Sequence, residues 1–149
     1  MYKNILVPLD GSENSRLALD EALTIAQKFD SKVFIVSVVD PGRVSGVMLE
    51  AHTAVGPDQL IGPMIEEAES YIKKAVSEVK NRNIPYETKV FQGSPKGMIA
   101  KDIPEEYDID LTVMGKSGAN ALTRLMIGST TAYVARYANN NVMIVSQDE

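Results

Sequence analysis

Five strand-sized apolar runs punctuate this chain, and segments of helical spacing or turn chemistry separate them. "KNILVPLD" is a β-type run ending at Pro8 and Asp10. "KVFIVSVVD", "PYETKVFQG", "DLTVMG" and "NVMIVS" follow it in order. The second run is almost continuously apolar, the mark of a strand covered on both faces. Between the first two runs, Ala18, Leu19, Ala22, Leu23 and Ala26 share one helical face. Ser12 stands where an N-cap belongs, with Glu13 in the first turn. "QLIGPMIEEAESYIKKAVSEVKNRN" carries a stripe of Ile65, Ala68, Ile72, Ala75 and Val79, with Gly62 and Pro63 blurring its start. A shorter helix is opened by Ser94 and Pro95 and disturbed at Pro104. A last helix is expected from about Ser129 to Ala138. This βαβαβαβαβ alternation predicts one α/β domain over residues 1–149, Rossmann-like, with a five-stranded parallel sheet and helices on both faces.

Bulk properties exclude several kinds of function. With 149 residues the chain is long enough for one sizeable core. It carries 15 basic and 20 acidic side chains, a net of -5, which argues against non-specific nucleic-acid binding. It has no cysteine, hence no disulfide and no thiolate chemistry, which fits a cytoplasmic home. No apolar run approaches the roughly 20 residues that span a bilayer. "MYKNILVPLD" is too short and too soon charged for a signal peptide. No membrane and no nucleic-acid partner are therefore expected.

The stretch most in need of a reason is "MGKSGANALTRLMIGSTTAYV", Met114 to Val134. Gly115 ends a strand, where a glycine lets a ligand come close to the backbone. Gly118 permits a tight turn or a positive φ. Gly128 and Ser129 open a helix, whose unpaired N–H groups and dipole favour an anion. The hydroxyls of Ser129, Thr130 and Thr131 add donors. Each feature has a plainer reading as a strand end, a turn or a helix cap; their conjunction calls for a phosphate. In an open α/β sheet, ligands bind beyond the carboxyl ends of the strands where the order reverses. If the order is 3-2-1-4-5, Pro8-Leu9-Asp10 and Met114-Gly115 face each other across that point. A carboxylate at Asp10 suits ribose hydroxyls, so a nucleotide would lie with its sugar at Asp10 and its phosphates at Gly128. Neither the Walker A string nor G-x-G-x-x-G occurs in the chain.

Gly115-x-x-Gly118, nine residues, then Gly128-Ser129 resembles the G-2x-G-9x-G-[ST] motif of the ATP-binding universal stress proteins. "KNILVPLDGS" looks like that family's first strand and P-x-D-x-S turn, and the likeness runs along essentially the whole chain. The resemblance implies the 3-2-1-4-5 order and ATP in the crevice, with Mg2+ on its phosphates. It implies Asp10 on the ribose and Val38 beside the adenine. Gly115, Gly118, Gly128, Ser129 and Thr130 would surround the ribose and phosphates. Three positions depart from the family pattern. Ala119 stands where a basic residue is common, Thr130 stands where valine is common, and 138–141 lacks a proline many relatives carry. Lys116 and Arg124 are nearby cationic candidates.

Catalysis needs a positioned group with a partner. The one histidine, His52, falls in the long loop from Pro41 to about Pro57, and no metal-ligand spacing is found. A binding and signalling module is the expectation: bound adenine nucleotide biases a conformation or a partner contact in a stress response. A slow ATP-hydrolysing enzyme and a nucleotide-independent dimerisation module are the alternatives. The last run, Asn141 to Ser146, would sit at a sheet edge with apolar residues on both faces, which predicts a homodimer through that strand.

Overall fold

The computed structural model describes residues 1–43, 57–117 and 126–146. The strands are β1 (Asn4–Pro8), β2 (Lys32–Val39), β3 (Tyr86–Gln92), β4 (Leu111–Gly115) and β5 (Asn141–Val145). They form one parallel sheet in the order β3-β2-β1-β4-β5, as expected. The helices are α1 (Glu13–Phe29), α2 (Pro57–Asn81), a composite α3 over 95–106, and α4 (Ser129–Tyr137).

The pleat sorts side chains to two cores. Ile5, Val7 and Leu9 of β1 and its extension point to the same side as Val33 and Ile35 of β2 and Leu111 and Val113 of β4. There they meet the α1 face, Ala18, Leu19, Ala22, Leu23 and Ala26, and Ile72, Ala75 and Val79 of α2. Leu6, Phe34, Val36 and Met114 point the other way, against Ile99, Ala100 and Ile103 of α3 and Val134 of α4. The apolar stripes read from the sequence are these faces, with Ile65 the one member only half-buried.

Two helices differ from a simple reading. α2 runs through Pro63 without a break. In α3, the disturbance expected at Pro104 is expressed upstream: Pro95–Gly97 and Ile103–Glu106 flank a π-type turn, Met98–Asp102, where Ile103 N–H donates to the Met98 carbonyl. Proline has no N–H to continue the ordinary ladder, and the widened turn places Pro104 in the helix.

Candidate functional site

The crevice begins where β1 and β4 part company. Their register pairs only Ile5 with Leu111 and Leu6 with Thr112. Beyond that point β1 stays with β2: Pro8 is level with Val36, Leu9 N–H donates to the Val36 carbonyl at 2.8 Å, and Ser37 Oγ donates to the Leu9 carbonyl at 2.9 Å. β4 stays with β5 instead, through Gly115 level with Val145 and Lys116 N–H on the Val145 carbonyl at 2.8 Å. Pro8 contributes to the split, because it has no N–H to offer a neighbouring strand. The strand order reverses at this gap, so it is the switch point at which such sheets take ligands.

α1 and α4 both begin at this end of the sheet, and their first turns are finished differently. Asp10 Oδ1 accepts the Ser12 N–H at 2.9 Å, a turn that delivers the chain into α1. Gly11 sits at φ 81, the left-handed region. Ser12 then caps α1, its Oγ accepting the Ser15 N–H, and Glu13 supplies first-turn negative charge. At α4 the cap is Gly128, which has no side chain to donate to or accept from the helix, and the first turn holds no acid. The opening N–H groups of α4 have no intrahelical acceptor. Gly128 itself has φ -61 and ψ 151, ordinary extended backbone, so its conformation does not require glycine.

The sequence-predicted residues therefore sort into groups. Asp10 and Ser129 are exposed, and Pro8, Val38, Gly128 and Thr130 are half-buried around the mouth. Leu9 and Met114 bury their side chains in opposite cores, so each can offer a ligand only its backbone. Thr131 is a correction. It is buried, and its Oγ1 donates to the Gly115 carbonyl at 2.9 Å, so its hydroxyl hydrogen ties α4 to β4. A second tie, Gly128 N–H to the Lys116 carbonyl at 2.9 Å, closes the neck of the glycine stretch. Gly115 also has a local reason to be glycine. A Cβ there would lie 2.7 Å from the Asn14 backbone. The first turn of α1 thus makes its own close approach to Gly115. Gly118, Ala119, Arg124 and His52 lie outside the described residues.

Three site neighbours are invisible to motif reading. Asn14 Nδ2 donates to Ser117 Oγ at 2.8 Å, joining the start of α1 to the start of the glycine stretch. Tyr71 of α2 rests on Gly11, and its hydroxyl donates to Glu67 one turn away. Burial raises the Tyr71 phenol to about 12, helped by that hydrogen bond and by the charges of Glu67 and Asp10. The signal for all three lies in the fold, since 103 positions separate Asn14 from Ser117 and 60 separate Gly11 from Tyr71. Among the described residues, no group of three or more His, Cys, Asp or Glu could hold a metal ion, and no helix is long and apolar enough to cross a membrane.

A model of the universal stress protein family matches residues 1–146. A putative universal stress protein of Staphylococcus haemolyticus (strain JCSC1435) is 32% identical over 155 residues, covering 99% of this chain and 87% of the relative. Among solved structures, the hypothetical protein MJ0577 superposes with a TM-score of 0.85 at 25% identity, covering 100% of this chain and 99% of that one. A universal stress protein in complex with cAMP superposes with a TM-score of 0.69 at 25% identity, covering 97% of each chain.

Proposed function

The chain belongs to the universal stress protein family, and from that premise we propose that it binds ATP in the β1/β4 crevice, with Mg2+ carried on the phosphates. The observation that carries this reading is the start of α4. It is a helix N-terminus with neither a capping side chain nor an acid, placed beside a split in the sheet. Backbone N–H groups and the helix dipole suit a phosphate there. Gly128 leaves room for it, and Ser129 and Thr130 add hydroxyls. Asp10 takes the ribose, and Val38 flanks the base near the end of β2. Pro8, Leu9, Met114 and Gly115 complete the walls with backbone, and Gly118, outside the described residues, is the further binding residue of this reading. The cAMP held by a structural neighbour is of the same ligand class.

In this reading the protein is a cytoplasmic stress-response module, not a catalyst: occupancy of the crevice biases a conformation or a partner contact. The test begins with protein purified without added nucleotide. It is denatured, and the released small molecules are chromatographed against adenine nucleotide standards. Emptied protein is then titrated with ATP and magnesium by calorimetry. Retained nucleotide or micromolar affinity is the expected result. A mixture that drifts to ADP would transfer the reading to a hydrolase, and no nucleotide in either assay would overturn it.

The same proposal includes a homodimer through β5. Met143 and Ile144 on this edge strand are exposed, as is Tyr137 at the end of α4. The opposite edge, β3, exposes Glu87, Thr88 and Lys89 instead, a charged edge of the kind that discourages pairing. A two-fold pairing of β5 with its copy would cover the apolar edge. A monomer at micromolar concentration in light scattering contradicts this assembly.

A further inference from the structure

A ribose presents two neighbouring O–H donors. Asp10 Oδ1 already accepts the Ser12 N–H, so Oδ2 is the oxygen that Asp10 offers most freely to a sugar. A second acceptor close to Asp10 would complete the recognition. It is found on α2, an element that contributes no motif residue. The phenol end of Tyr71 lies directly on Gly11. A Cβ built on Gly11 would stand 2.4 Å from Cζ, 2.5 Å from Cε1 and 2.8 Å from the hydroxyl oxygen. The Tyr71 hydroxyl is therefore one residue along the chain from Asp10.

Its orientation is fixed. The hydroxyl hydrogen is donated to Glu67 Oε1, one helical turn earlier. A phenol whose hydrogen is committed keeps lone pairs available as acceptors. Gly11 is what allows this approach, since any side chain there would occupy the place of the phenol. The glycine thus serves the turn by its positive φ and admits Tyr71 by its missing Cβ.

We propose that Tyr71, oriented by Glu67, is a second sugar-facing group beside Asp10 and makes the site prefer a ribose over a 2′-deoxyribose. The inference rests on the ATP reading above and deepens it. Tyr71 Oη takes the 2′-hydroxyl of the sugar and Asp10 the 3′-hydroxyl, while the ring holds the Asp10–Gly11 turn in place.

The test uses the full-length protein and two probes, ATP and 2′-deoxy-ATP, titrated by calorimetry with magnesium. Tyr71→Phe removes the hydroxyl and keeps the ring on Gly11, and a thermal melt checks that the fold is unchanged. The wild type should prefer ATP. Tyr71→Phe should lose about three- to tenfold in ATP affinity, the range of one neutral hydrogen bond, and leave 2′-deoxy-ATP within about twofold. Glu67→Ala frees the phenol hydrogen and should narrow the same preference by a smaller factor. Equal loss for both nucleotides would overturn the inference and make Tyr71 a packing residue only. No change for either would overturn it as well. Wild-type protein that binds neither probe would remove the nucleotide reading along with it. Wild-type protein that binds both equally would keep the nucleotide reading and defeat the inference alone.

Discussion

Two helices start at the same end of this sheet, and only one of them is finished by its own residues. At α1, Ser12 takes the Ser15 N–H, Glu13 supplies negative charge, and Arg16 holds Glu13 in an exposed i,i+3 pair. That pair lies on the surface and contributes little. The cap satisfies one N–H of the first turn, and Glu13 offsets the positive end of the dipole. At α4 the corresponding position is Gly128, and no side chain is present to do the same. A serine, threonine or aspartate would be the ordinary choice at a cap. On the proposed reading, the uncapped end of α4 is the one that a ligand completes.

The sharpest way to break this contrast is to make α4 resemble α1. Gly128→Asp fits the extended φ and ψ of the cap and supplies both an acceptor and a charge. Folding stability should stay level or rise by a few tenths of a kcal/mol. ATP affinity should fall on the order of a hundredfold, because a carboxylate would face the phosphates at close range. Chemical denaturation and calorimetry on the same sample read both quantities. Stability and binding moving together would contradict the assignment of α4 as the phosphate end.

Gly115 comes next. Its missing side chain is matched to Asn14 at 2.7 Å on the other helix. Gly115→Ala should destabilise the protein by about 2 kcal/mol, the usual scale of overpacking, seen as a lower denaturation midpoint. An unchanged midpoint would show that α1 can shift aside. Asp10→Ala follows with a smaller effect. It should weaken ATP about tenfold, as expected for a hydrogen bond to a charged group, and leave inorganic triphosphate almost unaffected. Equal loss for both would contradict the sugar role of Asp10.

The legible part of this molecule is the part written in local chemistry. Ser12 caps α1 because its oxygen reaches an N–H three residues on, and such a cap can be read from neighbours in sequence. The five apolar runs become strands because their pleat sorts Leu6 from Ile5 and Val7 into two cores. Strand order is different: a run such as "DLTVMG" carries no record of which strand it will pair with, and here the family pattern supplied it. Thr131 shows the limit from the other side. A hydroxyl two residues after Ser129 reads as a ligand donor until the fold brings the Gly115 carbonyl within 2.9 Å of it. Tyr71 and Glu67 were illegible because α2 looks like any amphipathic helix until its turn meets Gly11.

The smallest effect tests the finished end. Ser12→Ala removes the oxygen that accepts the Ser15 N–H but leaves the Asp10 turn, which uses the Ser12 backbone. The cost should be about 1 kcal/mol of stability, the typical value of a serine cap. For a chain of this size that is a fall of roughly 2–4 °C in melting temperature. ATP affinity should not change, because the capped end of α1 is not where the phosphates are placed. A melting shift without a binding change would make the two ends separable, one structural and one for the ligand. A clear loss of ATP affinity would mean that the Asp10 turn depends on the cap, and the division between the two helix starts would then be one of degree.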